Sequence, residues 1–319
     1  AARRRAAALR TGLMRVLVTG VTGQVGGALV ARLQGEATIV AADRAALDLA
    51  APHAIPAALD RMAPDIIINP AAYTFVDEAE DERELAMRVN AQAPGAIARW
   101  AAARAVPFIH FSTDCVFDGS GAKPWREDDP ARPLSAYGAS KLAGENEIRA
   151  AGGCFLVVRT SWVYAAQGDN FLGTIMRLAQ EREELRVVAD QSGAPTSAPL
   201  IADAVADILS AGAENLRRRF AQAGGLVHLA ARGETSRHGF AGAIVDGLRL
   251  RGLPLAVERI TPVGTADYPA RAERPRNSRL DLGRLENLFG ITPPPWQEAL
   301  VVELDKVAQL RRANPGASR

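Results

Sequence analysis

Arg15-Val-Leu-Val-Thr-Gly20-Val-Thr-Gly23-Gln-Val-Gly26-Gly-Ala-Leu-Val-Ala-Arg-Leu33 is the stretch from which the rest of the chain is read. A short β-branched run ends in glycine, and an apolar-periodic segment follows within a few residues. That pattern is a buried strand, a glycine turn and a helix. The glycines permit a tight turn and bring backbone close to a pyrophosphate. The helix start adds free N–H groups and a positive dipole end. The spacing is G-x-x-G-x-x-G rather than G-x-G-x-x-G, and by itself it also fits an ordinary turn from strand to helix. Its place between the two elements makes Gly20, Gly23 and Gly26 candidates for nucleotide binding.

Working outward, strands are expected at 38–43, 65–70, 106–112 and 155–160, with helices at 55–62, 78–104 and 135–150 between them. Strands alternating with helices imply parallel βαβ units, hence an α/β fold with a doubly wound, Rossmann-type sheet. Further helices are expected at 171–184, 200–211, 238–250 and 296–310, with short strands at 185–188 and 226–230. This gives residues 14–160 as a nucleotide-binding domain. Residues 161–319 form a smaller mixed α/β substrate domain, some of whose segments return to the first. Pro262 to Asn277, rich in Pro, Arg and Ala, reads as a long loop, and such loops are often functional.

Composition narrows the function classes. A charge of +2 over 319 residues gives no reason to expect nucleic acid or an anionic membrane as partner. No apolar run reaches the roughly 20 residues of a membrane span. Cys115 and Cys154 are too few for a disulfide framework, which favours a reducing, cytoplasmic setting. His53, His110, His228 and His238 lack metal-ligand spacing, so no metal site is expected. Residues 1–13, Arg- and Ala-rich and without acids, read as a disordered extension before Met14, with a transit peptide as the alternative.

Tyr137-Gly-Ala-Ser-Lys141 carries the chemistry. Residues four apart share a helix face. An ammonium beside a phenol is expected to lower the phenol's pKa, which suits Tyr137 as general acid toward a carbonyl receiving hydride. Lys141 can also reach a ribose hydroxyl. The pair alone also fits an exposed amphipathic helix. What lifts it is Phe111-Ser112-Thr113-Asp114 at the end of the fourth strand, where ligands bind in open α/β sheets. A hydroxyl there can hold a substrate carbonyl. At the end of the second strand, Asp43 is placed for an adenosine ribose and Arg44 for a 2′-phosphate. NADH and NADPH both remain open. Asp48 and Leu49 are placed beside the adenine. His110 reads as a core or supporting histidine, and the acids from Asp77 to Glu84 as a solvated helix face.

These residues resemble the extended short-chain dehydrogenase/reductases and, among them, the dTDP-4-dehydrorhamnose reductases. The likeness runs from Met14 to about Lys306. It rests on Gly23-Gln-Val-Gly26, Asn69-Pro-Ala-Ala-Tyr-Thr74, Val76-Asp-Glu-Ala-Glu80 and Ser112-Thr-Asp-Cys-Val-Phe-Asp-Gly119. It continues through Pro133 to Glu145, Arg159-Thr-Ser-Trp-Val-Tyr164, Asp190 to Thr196 and Arg274-Pro-Arg-Asn-Ser-Arg-Leu280. The resemblance implies hydride transfer from NADPH or NADH to the C4 keto carbon of a dTDP-linked 4-keto-6-deoxy sugar. Thr113, Tyr137 and Lys141 would form the catalytic triad. Gln24, Val25, Ala71, Ala72, Tyr73 and Asn90 would join the cofactor site. Thr74, Val76, Asp114 and Trp162 would line the substrate, with Asn170, Phe171, Gln191, Thr196 and Arg274 toward its nucleotide. Core packing is the alternative for Trp162 and Phe171.

Some members of that family dimerise around Mg²⁺ held by glutamates, one on the first helix. Ala28 stands there in this chain, which argues against that metal and leaves monomer and homodimer open. Pro70 replaces a frequent alanine without consequence for the chemistry. A dehydratase of the superfamily would carry Thr-Asp-Glu, whereas Asp114 is followed by Cys115. An epimerase would share the triad. A non-catalytic relative, like the regulatory subunit of S-adenosylmethionine synthetase, would not need it.

Overall fold

A computed structural model describes residues 13–313 apart from Pro269. The expected extension over 1–13 therefore lies, save Leu13, outside the described residues. The glycine-turn unit forms as β1 (Arg15–Thr19) and α1 (Gln24–Leu33). It is followed by β2 (Thr38–Ala42), α2 (Ile55–Met62) and β3 (Ile66–Asn69). The long helical stretch is broken. A short α3 (Arg83–Met87) runs into a π-helical turn at Arg88–Gln92, and α4 (Ala93–Arg104) restarts with Pro94 in its first turn, where proline is tolerated. Then come β4 (Phe108–Thr113), α5 (Ala136–Ala151) and β5 (Phe155–Thr160). Ser135 caps α5, its hydroxyl accepting from the Gly138 amide at 3.2 Å.

Beyond β5 lie the two-residue β6 (Val163–Tyr164), α6 (Phe171–Glu181), β7 (Glu184–Val188), and the short β8 (Ser192–Gly193) and β9 (Thr196–Ser197). Helices α7 (Ala198–Ser210) and α8 (Ala213–Gln222), strands β10 (Leu226–His228) and β11 (Thr235–Ser236), and helix α9 (Arg237–Leu250) follow. Strand β12 (Arg259–Val263) and helices α10 (Gly283–Phe289) and α11 (Trp296–Ala313) close the described chain. Strand β12 takes Pro262 and Val263 from the expected 262–277 loop. A proline fits there because β12 pairs only with β7, in a two-stranded sheet.

The main sheet has six parallel strands in the order β10-β5-β4-β3-β1-β2. Strands β1, β3, β4 and β5 are buried almost throughout, which is why they read as continuous apolar runs. The chain moves from β1 out to β2, then returns to β3 on the other side. Strand order therefore reverses between β1 and β3, and a crevice opens beyond their carboxyl ends. Helix α1 is tied to α7 by the Arg32–Asp203 pair at 2.8 Å. An aromatic cluster fixes the later half: Phe240 lies 5.2 Å from Tyr164, 5.4 Å from Phe171 and 6.0 Å from Trp296, centroid to centroid.

One ion pair is fully enclosed. Arg159 on β5 donates to both carboxylate oxygens of Glu145 on α5, at 2.8 and 2.7 Å, and Ser112 on β4 donates to the same carboxylate at 2.6 Å. The side chains are 4% and 1% exposed. Removing one partner strands the other charge, at a cost of about 3–5 kcal/mol. Glu145→Gln is thus expected to lower the urea-unfolding free energy by about that amount, and Glu145→Gln with Arg159→Met to recover part of it. A loss within experimental error for the single variant would contradict the account.

Candidate functional site

A cleft of about 1320 Å³ opens at the crevice and collects residues from both halves of the chain. One wall is the turn from Gly20 to Ala28, with Pro70, Ala71 and Ala72 beyond β3. Its floor holds Thr113, Asp114, Tyr137 and Lys141. Opposite stand Trp162, Asn170, Phe171, Gln191, Arg237 and Arg274, and α11 adds Glu303 and Lys306.

The turn fits a dinucleotide. A Cβ on Gly26 would collide with the Gly20 carbonyl, so only glycine lets α1 start this close to β1. Gly23 caps the helix without a side-chain bond and no acid lies in the first turn, which leaves the amide end open to an anion. The buried Gln24 Oε1 has no hydrogen-bond partner among the described residues. Thr19 pairs with Ala42, so Asp43 follows the end of β2 beside the turn.

Lys141, 2% exposed, directs Nζ to the Phe111 carbonyl at 2.6 Å and lies 3.2 Å from His110 Nε2. His110 Nδ1 contacts Asn69 Nδ2 at 3.0 Å, and Asn69 accepts from the Thr19 hydroxyl at 2.5 Å. A buried polar chain thus joins the end of β1 to Lys141. Burial holds His110 neutral, well below its ordinary pKa, and lowers Lys141 to about 8. The Tyr137 phenol behaves opposite to the sequence expectation. Burial pushes it above its ordinary range, with the neighbouring Thr113 hydroxyl opposing. The lysine is turned to the Phe111 carbonyl and so does not lower it. Protonated Tyr137 is what a proton donor requires. Burial also raises the Asp114 carboxyl, against the hydrogen bonds of Ser278 and Thr113 and the charge of Arg237.

Several expected site residues already have partners within the fold. Leu49 is buried in the core around Leu17 and Leu59. Asp43 and Asp48 accept from the Ala46 and Ala50 amides, both at 2.9 Å, and the exposed Arg44 lies 3.8 Å from Asp48. Asn90 is buried, accepts from the Tyr73 amide at 2.8 Å and donates to its carbonyl at 3.0 Å, shaping the loop after β3. Tyr73 gives its hydroxyl to Glu82 at 2.7 Å. Thr196 donates to the Ala194 carbonyl at 3.0 Å and does not reach the cleft. Thr74 and Val76 do line it. Nor are the acids from Asp77 to Glu84 only a solvated face. Asp77 takes Arg274 at 2.7 and 3.2 Å, and Glu80 accepts from the first amide of α5, Ala136, at 2.7 Å.

Arg237, Ser278, Glu303 and Lys306 are cleft residues that sequence reasoning missed. The expected helix at 238–250 stopped one residue short of Arg237. Ser278 stood in the Arg274–Leu280 motif without being singled out, and Glu303 and Lys306 carried no motif. Trp162 adopts φ +48°, uncommon for a bulky residue, and its ring lies where a Cβ on Gly193 would be 2.6 Å away.

A glycine turn, a strand-end threonine and a Tyr/Lys helix in one crevice form the layout of a nicotinamide-dependent short-chain dehydrogenase/reductase. The family model described as RmlD substrate binding domain matches residues 14–309, and the chain belongs to that family. A dTDP-4-dehydrorhamnose reductase of Burkholderia thailandensis is 46% identical, over 90% of this chain and 97% of that protein. The Escherichia coli enzyme of the same name is 41% identical over 89% and 95%. The crystal structure of dTDP-4-dehydrorhamnose reductase from Bacillus anthracis in complex with NADP is similar, with TM-score 0.82 and 32% identity over 92% of this chain and 99% of that one.

Buried Lys141 has a pH signature. Its folded pKa is about 8, against an ordinary value of 10.5. Between those values the unfolded chain holds a proton that the folded one has released, so stability rises with pH across that window. The penalty at neutral pH is about 3 kcal/mol. Wild type is expected to gain on Lys141→Met by about that amount when urea unfolding is followed from neutral pH to 10.5. A pH-independent difference would mean that the folded protein does not depress this lysine.

Proposed function

We propose that the protein is an NAD(P)H-dependent reductase of dTDP-4-dehydrorhamnose, converting its C4 keto group to the alcohol of dTDP-L-rhamnose. The observation that carries the reading is Thr113, Tyr137 and Lys141 on the floor of a cleft walled on one side by the glycine turn. Relatives of that name spanning nearly the whole chain support it.

When bound, NAD(P)H supplies the hydride. The amides at the start of α1 hold its diphosphate, and Asp43, beside that turn, takes the adenosine ribose. Lys141 would engage the nicotinamide ribose. Thr113 orients the C4 carbonyl through its hydroxyl. Tyr137, kept protonated by burial, delivers its proton to the C4 oxygen. Asp114 and Trp162 shape the sugar pocket. Residues 14–160 serve mainly the cofactor and residues 161–319 mainly the substrate. Both reactants are water-soluble small molecules, which fits work in the cytoplasm as a monomer or homodimer, without nucleic acid.

The test is NADPH and NADH oxidation, followed by absorbance, with enzymatically generated dTDP-4-dehydrorhamnose and identification of the product. Tyr137→Phe is expected to lose at least about a hundredfold in kcat, the scale of general acid catalysis, with NADPH affinity nearly unchanged. Lys141→Ala should weaken both. Near-wild-type turnover in Tyr137→Phe would remove the proton donor from this mechanism. A folded wild-type protein that binds NADPH yet leaves the sugar unreduced would remove the reaction itself.

A further inference from the structure

Arg237 has no role in the chemistry above, yet the fold places it with care. It is the first residue of α9, whose start is fixed by Ser236 accepting from the Gly239 amide at 2.9 Å. Its guanidinium lies over the Trp162 ring, 3.8 Å from the centroid, and 5.3 Å from that of Phe171. Phe171 is itself stacked on Phe240. The rings hold the guanidinium in place by its face. Among the described residues, the Arg237 side chain donates no hydrogen bond within 3.5 Å and forms no ion pair within 4.0 Å.

Its charge is met by a carboxylate only at longer range. Arg274, which also lines the cleft, has both carboxylate oxygens of Asp77. The carboxylate that acts on Arg237 is Asp114, which is engaged with Ser278 and Thr113. Burial lowers Arg237 to about 10, Asp114 opposing and Arg274 adding to the fall. A guanidinium has five donors in a planar fork, and leaving them unmet in a cleft is costly. A ligand bearing a diphosphate meets that fork and its charge together.

We propose that Arg237, held over Trp162 beside Phe171, binds the diphosphate of a nucleoside-diphosphate sugar in this cleft. The proposal rests on the nucleotide-sugar reading above and adds the residue that reads the anion.

Calorimetric binding of dTDP and of thymidine to wild type, Arg237→Gln and Arg237→Lys tests it, with NADPH affinity as the control for folding. Arg237→Gln is expected to weaken dTDP by about 10- to 100-fold, the scale of a lost charged hydrogen bond. Thymidine should be unaffected, and Arg237→Lys should fall between. With the keto-sugar, KM should rise more than kcat falls. Equal losses for dTDP and thymidine would make Arg237 a packing residue and overturn the proposal. So would wild-type dTDP affinity in Arg237→Gln. Wild-type protein that binds NADPH but not dTDP, UDP or ADP would overturn the nucleotide-sugar reading, and this proposal with it.

Discussion

The site depends on a lysine ammonium taken out of water and set on a backbone carbonyl. Lys141 reaches from α5 to the Phe111 carbonyl of β4 at 2.6 Å. The contact requires α5 to lie hard against the end of that strand. Gly138 allows it, since a Cβ there would collide with the Cys115 carbonyl. The Ser112–Glu145–Arg159 network fastens the same helix to β4 and β5. Thr113 and Tyr137 then occupy one floor because their elements are locked together. Burying the ammonium opposes stability, and the packing that encloses it is also what holds the donor and the hydroxyl in place. Here stability is given up for geometry, as active sites commonly do.

Burial sets the protonation pattern as well. The phenol of Tyr137 is raised, the imidazole of His110 kept neutral and Lys141 lowered, each because its charged form is poorly solvated there. A reading that considered only the Tyr/Lys pair attended to the attraction between them and omitted desolvation, which acts first on both. For a reductase the outcome is favourable, because a phenol that holds its proton is ready to give it to a carbonyl oxygen.

Much of the fold was legible, for a physical reason. Strand β5 was expected at 155–160 and lies at Phe155–Thr160, because a strand buried in a parallel sheet is a continuous apolar run. The expected strand at 226–230 was also found, as β10, but its pairing with β5 leaves no local trace. Strands β6, β8, β9 and β11 are two residues each, too short to show alternation. Helix α8, Ala-Glu-Asn-Leu-Arg-Arg-Arg-Phe-Ala-Gln, is charged enough to pass for a loop. Gly20, Gly23, Gly26, Thr113, Tyr137 and Lys141, which local spacing singles out, all line the one cleft. Leu49, Asn90 and Thr196, expected beside ligand, do not line the cleft. A matching residue type shows that a position is constrained, and not whether cofactor or scaffold constrains it.

The two arginines mark where that kind of reading ends. Arg274 stands in a recognisable motif and was assigned to the diphosphate. Its fork is already closed by Asp77, almost two hundred residues earlier in the chain, a pairing that no spacing rule reports. Arg237 lies outside every motif, yet among the described residues it retains an open fork inside the cleft and a charge without a close ion pair. Once the Asp77 pair is counted, the guanidinium left without a close ion pair in this wall is that of Arg237 rather than Arg274. An anion drawn to the wall would be drawn there, onto a guanidinium whose orientation the rings of Trp162 and Phe171 have already set. Preorganisation of that kind reduces the ordering cost of binding, and it gives a reason for the unusual backbone of Trp162. The left-handed turn at residue 162 puts the indole against Gly193, and the indole in turn supports the arginine.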